Sequence, residues 1–324
     1  MPSRPQAPES GPRPRQDPEA FLRRLEWTVI RRLDGVLFGD YRTLFRGFGL
    51  DLADLREYQY GDDVRHIDWN VTARLQTPYV REYHEDRDVT AWFLLDLSPS
   101  LDTGAHAAKR TVSAEFTAVL ARLLARHGNR VGALLYGEKM DAVLPPRTGR
   151  AQVLELLARI RARPERTQSA PTDLGAFLRD AGKMLRRRSL VFVVSDFVSA
   201  PGWSTALANL SRRHEVVAVR LYDPLEAELP ELGMFLVQDA ETGEQVFVDS
   251  TDRGFRKRFA KAAEAHEETL HAGFRAAGVD VLELATDDEL FDALLRFTRL
   301  RKLRSRMAAG AVRPAGMTAG VAPA

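Results

Sequence analysis

From Val89 onward the chain alternates short apolar runs with helical stretches, and this alternation limits its fold more than any other feature. The runs are Val89–Leu95, Arg130–Tyr136, Leu190–Ser195, Glu215–Leu221 and Asp280–Leu284. Each is short and nearly continuous in apolar residues, as strands buried on both faces are. The spacing predicts helices over Ala107–His127, Ala151–Arg161, Leu174–Leu185, Trp203–Arg213 and Gly254–Ala277, with a last one starting at Leu290. In the first of these, Val112, Phe116, Val119, Leu120, Leu123 and Leu124 form one apolar stripe. Strands and helices in alternation predict an α/β fold: a doubly wound, mainly parallel sheet flanked by helices.

The remaining segments read differently. Residues 1–18 are rich in Pro and Arg and read as a disordered tail, as does the Ala/Gly/Pro-rich stretch 308–324. Residues 19–88 hold a predicted helix, Phe21–Leu37, then a polar, aromatic and charged segment with short strand-like pieces. Residues 89–307 form the α/β domain, with a predicted hairpin near 236–248 around Glu241-Thr-Gly-Glu244. Net charge is +2, from 47 basic and 45 acidic residues, so no basic field points to nucleic acid. The absence of cysteine excludes disulfides and thiolate metal sites. No apolar run is long enough to span a bilayer, and the N-terminus lacks the apolar core of a signal peptide; a cytoplasmic protein is the expectation.

Two of the apolar runs end in carboxylates. Trp92-Phe-Leu-Leu-Asp-Leu-Ser-Pro-Ser100 places Asp96, Ser98 and Ser100 at the carboxyl end of a predicted strand. Leu190-Val-Phe-Val-Val-Ser-Asp196 does the same with Asp196, and Thr172 lies in the loop between them. Open α/β sheets bind ligands at that edge. Two carboxylates and three hydroxyls form an all-oxygen donor set, which suits Mg²⁺ or another hard cation such as Mn²⁺ or Ca²⁺. The set also leaves a coordination position for an acidic side chain of a partner. A single strand-end aspartate usually caps nearby N–H groups; the ordered combination favours a metal site.

The pattern Asp96-x-Ser98-x-Ser100, Thr172, Asp196 resembles the metal-ion-dependent adhesion site of von Willebrand factor type A domains. In that family the hydroxyls ligate the cation directly, and the aspartates do so directly or through water. Ala170-Pro-Thr-Asp-Leu-Gly175 departs from the family by lacking paired glycines, which leaves Asp173 as an alternative donor beside Thr172. A second motif, Arg56-Glu-Tyr-Gln-Tyr-Gly-Asp-Asp-Val-Arg-His-Ile-Asp-Trp69 with Thr72-Ala-Arg74, resembles the DUF58 family, whose members carry a von Willebrand type A domain just downstream. Tyr222-Asp-Pro-Leu-Glu-Ala-Glu-Leu-Pro-Glu-Leu-Gly233 resembles it too. The resemblance implies work with a MoxR-type AAA+ ATPase on protein clients, as an adaptor or co-chaperone.

Within the Gly-Asp-Asp segment, Asp62, Asp63, Arg65, His66, Asp68, Trp69 and Arg74 admit more than one role. Arg56, Arg65 and Arg74 equal Asp62, Asp63 and Asp68 in number, which suits ion pairs locking the segment onto the domain, with Tyr58, Tyr60 and Trp69 beneath. A partner-docking face is the other reading, with Trp69 exposed. An enzymatic reading, with His66 as general base or metal ligand, is weaker than the ion-pair one. The basic run Arg299–Arg306 reads as a solvated helix face. For the whole chain, a cation-dependent binding module stands against a Mg²⁺-dependent phosphohydrolase using Asp96 and Asp196. A third possibility is a structural domain binding no metal. The acid and the basic residue expected close after an aspartyl nucleophile are replaced by serines, which favours binding.

Overall fold

The computed structural model describes residues 17–33, 54–59, 67, 69, 72–73, 76–82, 90–104, 107–137, 139–162, 172–231, 233–238 and 245–310. Helix α1 (Pro18–Leu25) begins at the proline, whose missing N–H is harmless in the first turn, and Asp17 caps it by accepting from Glu19 N. The helix thus starts inside the stretch read as a tail. It continues through a π-helical stretch, Glu26–Ile30, and buries Phe21, Leu22, Leu25, Val29 and Ile30. Residues 34–37 of the predicted helix lie outside the described residues.

Strands β1 (Asp54–Glu57) and β2 (Tyr79–Glu82) pair antiparallel. The α/β unit then runs β3 (Thr90–Asp96), α2 (Lys109–Arg126), β4 (Arg130–Tyr136), β5 (Met140–Arg147), α3 (Arg150–Ala162), α4 (Leu174–Met184), β6 (Leu190–Ser195), α5 (Trp203–Ser211), β7 (Glu215–Tyr222) and α6 (Pro224–Ala227). The hairpin β8 (Met234–Gln238) and β9 (Gln245–Asp249) follows, then α7 (Arg253–Ala277), β10 (Asp280–Ala285) and α8 (Leu290–Gly310). The last helix therefore runs past Ala308, where the second tail was expected.

The main sheet has the order β10-β7-β6-β3-β4-β5, parallel except for the pair β4–β5. Counted from β3 as first strand, this is the doubly wound order 3-2-1-4-5-6. The winding direction reverses between β3 and β6. Ligands of such sheets bind outside the strand carboxyl ends at that reversal.

Strand β5 is an addition to the expected set. Its residues alternate between exposed and covered, and it carries Pro145 and Pro146, so it lacks the continuous apolar run of the other strands. Proline is tolerated there because β5 is an edge strand. Gln152 Nε2 completes the edge by donating to Val131 O and Pro145 O.

Apolar cores fill both faces of the sheet. On one, Phe93 stacks on Phe192 at 5.1 Å and Phe116 of α2 meets Phe192 edge-on at 5.8 Å. Helix α1 packs on this side, where Glu26 accepts from Arg122 of α2 and Arg150 of α3. On the other face, Tyr136 stacks on Phe177 at 4.7 Å, and Phe197, Trp203 and Phe274 form a triad. The C-terminal basic run is not simply a solvated face. Arg301 is largely buried and pairs with Glu215 and with Asp280, at 3.0 Å in the second case. Among the described residues no helix is long and apolar enough to cross a membrane.

Candidate cation site at the sheet reversal

Strand β3 delivers Asp96 as its last residue, and β6 ends one residue before Asp196. The pairing of Leu95 with Val194 brings the two carboxylates to the reversal point together. Asp96 is fully buried. Its Oδ1 accepts from Ser98 N at 2.9 Å, and its Oδ2 accepts from Ser195 Oγ at 2.7 Å. Beyond it the chain turns into a short 3₁₀ helix, Pro99–Asp102, which folds Ser100 back toward Ser98. The two hydroxyl oxygens lie 3.0 Å apart.

Asp196 is followed by a strained turn. Phe197 has φ +59°, a left-handed conformation that a bulky residue adopts only when its surroundings impose it. Here its ring is locked against Trp203 and Phe274, and its N–H donates to Ser195 Oγ at 2.9 Å. Asp196 Oδ1 accepts from Val198 N at 3.1 Å. Thr172 is buried just before α4. Its carbonyl accepts from Ser199 Oγ at 2.8 Å and from Ala200 N at 3.1 Å, which ties its loop to the one following Asp196. Asp96, Ser98, Ser100, Thr172 and Asp196 are all buried, and three loops at the reversal carry them. Asp173 has a different task. It caps α4 by accepting from Ala176 N at 2.7 Å and lies 3.7 Å from Arg179. It is half exposed and is not a sixth donor of the set.

Sequence reading missed two members of this cluster. Lys109, the first residue of α2, is buried with its Nζ 3.2 Å from Asp196 Oδ2. The same ammonium pairs with Glu226 of α6. A lysine opening a helix with no acidic residue in the first turn opposes the helix dipole, and that is the signal that could have exposed it. Glu226 belongs to the Tyr222–Gly233 motif. Its carboxylate closes a capping box with Asp223, whose Oδ2 accepts from Thr286 Oγ1 at 2.8 Å.

Burial, and then the charge of Asp196, push the Asp96 carboxyl up to about 6 against the hydrogen bonds of Ser195 and Ser98. For Lys109, burial works against the ammonium, but Asp196 and Glu226 outweigh it and hold its pKa above the ordinary value. Of the two buried carboxylates, Asp196 is paired with this buried ammonium, while Asp96 is held by hydrogen bonds alone. With Ser98, Ser100 and Thr172 beside them, the donor set is all oxygen and carries excess negative charge, and it fits a hard divalent cation.

Of the Gly-Asp-Asp segment, Asp62, Asp63, Arg65, His66, Asp68 and Arg74 lie outside the described residues, as does Tyr60. Trp69 is 69% exposed, so it does not pack beneath the segment. A separate cluster joins Glu267, His271 and Glu283 at one end of the sheet. Arg220 already donates to both carboxylates, 2.7 Å to Glu267 Oε2 and 3.2 Å to Glu283 Oε1, so its guanidinium takes the place a cation would need.

The family model described as "Protein of unknown function DUF58" matches residues 54–269. The Mycobacterium tuberculosis protein Rv1480, described as uncharacterized, is 38% identical over 284 residues, covering 87% of this chain and 89% of its own. Among solved structures, the hypothetical protein BatB from Bacteroides thetaiotaomicron is similar at 14% identity and TM-score 0.40, over 68% of this chain and 99% of that one. A von Willebrand factor type A protein from Catenulispora acidiphila is similar at 10% identity and TM-score 0.34, over 66% and 42% respectively.

Proposed function

The chain belongs to the DUF58 family, and on that premise we propose that it is a divalent-cation-dependent protein-binding module. One observation carries the reading: Asp96, Ser98, Ser100, Thr172 and Asp196 come from three separate loops, yet all lie buried at the sheet reversal. These residues would hold Mg²⁺, or Mn²⁺ or Ca²⁺ in its place. The cation supplies a Lewis-acidic point to which a partner's carboxylate can bind. The protein's own contribution is to orient the donors. Ser195 and Ser98 N fix Asp96, Val198 N fixes Asp196, and the Thr172 carbonyl fixes its loop.

The resemblance of the motifs supplies the partner class: a MoxR-type AAA+ ATPase, for which this chain acts as adaptor or co-chaperone toward protein clients. Exposed Trp69 in the family's signature segment supports a docking face there.

The phosphohydrolase alternative gains one feature from Lys109, a basic residue able to neutralise phosphate. It loses more at Asp96. The acid that an aspartyl-phosphate enzyme needs close after its nucleophile is absent, because Ser98 and Ser100 stand in those positions.

The test is association with a MoxR-type ATPase at constant Mg²⁺ and nucleotide, comparing the wild type with Asp96→Ala. The reading expects binding to be lost while the circular dichroism spectrum stays unchanged. Equal affinity in the two proteins would remove the cation site as the docking point.

A further inference from the structure

We propose that Lys109 is a built-in competitor for the cation: its ammonium, held between Asp196 and Glu226, sets the concentration at which the site fills. This inference rests on the cation-site reading above and deepens it.

Position carries the argument first. The Lys109 side chain is 2% exposed, and its Nζ lies 3.2 Å from Asp196 Oδ2, on a carboxylate that the bound cation would need. A monovalent ammonium and a divalent ion cannot share one carboxylate without strong repulsion, because interactions are weakly screened in a buried site. The cost of placing Lys109 there is a second argument. It opens α2 at the positive end of the helix dipole, without a side-chain cap and without an acidic residue in the first turn. A buried ammonium in that place needs compensation, and among the described residues its ion pairs are with Asp196 and Glu226. Its purpose is therefore electrostatic rather than helical.

Glu226 supplies the means of exchange. Its side chain is 45% exposed, whereas that of Asp196 is 1% exposed. When a cation takes Asp196, Lys109 keeps one carboxylate, on the side open to water. The ammonium does not have to be stranded. Glu226 also closes the cap of α6, so exchange at Asp196 acts directly on the Tyr222–Gly233 motif. Cation occupancy and the set of that motif become linked through one side chain.

The experiment is Mg²⁺ titration by calorimetry on the full chain, comparing the wild type with Lys109→Gln, Lys109→Met and Lys109→Arg. The expected result is Mg²⁺ binding at least about tenfold tighter in the Gln and Met variants, with Arg unchanged; tenfold corresponds to about 1.4 kcal/mol. Lys109→Gln removes the charge while keeping a polar hydrogen-bond donor, one bond shorter, at the position, and Lys109→Met keeps most of the unbranched length without the charge. Thermal unfolding gives a second readout: added Mg²⁺ should raise the melting temperature of the Gln variant more than that of the wild type. Equal or weaker binding in both uncharged variants, with the wild type binding Mg²⁺, overturns it and leaves the cation site standing. No binding by any of the four proteins overturns the cation-site reading and this inference with it.

Discussion

Asp96 is the residue on which the electrostatics turn. Its carboxyl is raised from 3.8 to about 6, chiefly by burial and next by Asp196. The folded chain thus holds this proton more tightly than the unfolded chain does. Stability from this group is fully present below about pH 4 and is lost as pH rises through about 6. At pH 7 without cation, the ionised form costs the fold about 3 kcal/mol. Asp96→Asn should therefore stabilise the cation-free protein above pH 6, by up to about that amount, and have little effect at pH 4. Urea denaturation at the two pH values measures the difference; equal effects would contradict it. Ser195 supports the same carboxylate. Ser195→Ala leaves Asp96 Oδ2 and Phe197 N without their shared partner, and should cost about 1–3 kcal/mol in the same measurement. The sequence placed Asp96, Ser98, Ser100 and Asp196 correctly at strand ends, because an apolar run followed by a polar residue marks a strand terminus. It did not reveal Lys109 or Glu226. Their contacts join positions far apart in the chain, and no local pattern encodes a partner 87 or more residues away.

At the scale of elements, periodicity located what it describes best. Strands β4 and β6 match the predicted apolar runs at both ends, and α2, α3, α4, α5 and α7 agree with their predicted bounds to within about two residues, the ordinary precision of such boundaries, whereas α1 starts three residues before Phe21 and the short α6 was not predicted. The strand of the main sheet that was missed is β5, an edge strand with two prolines and a half-exposed pattern, which has neither a continuous apolar run nor a helical stripe. The elements also differ in what they contribute energetically. Phe116 of α2 is fully buried against Phe192, so Phe116→Ala should cost about 3–5 kcal/mol by denaturant titration. Phe247 of the hairpin is 74% exposed, and Phe247→Ser should change stability by less than about 0.5 kcal/mol. Similar losses from the two substitutions would contradict the burial described here. Hairpin and α2 thus serve different ends, with α2 carrying both the core and the lysine of the site.

For the whole molecule, strand order decides where chemistry can occur. Only where the winding reverses do the loops after β3 and β6 diverge to opposite sides and leave a crevice. The sequence implied a doubly wound sheet and put both carboxylates at strand ends, but it could not state that β3 and β6 are neighbours. That adjacency turns two ordinary strand-end aspartates into a pair. The central claim is that this pair, with its hydroxyls, binds a divalent cation. The most direct test is Mg²⁺ titration by calorimetry of the wild type against Ser98→Ala, which removes one hydroxyl donor and keeps the backbone N–H that holds Asp96. The account predicts saturable binding by the wild type, weakened by about tenfold or more in the variant, which still unfolds cooperatively in the absence of cation. No heat of binding in the wild type, or the same Kd in both proteins, would contradict it.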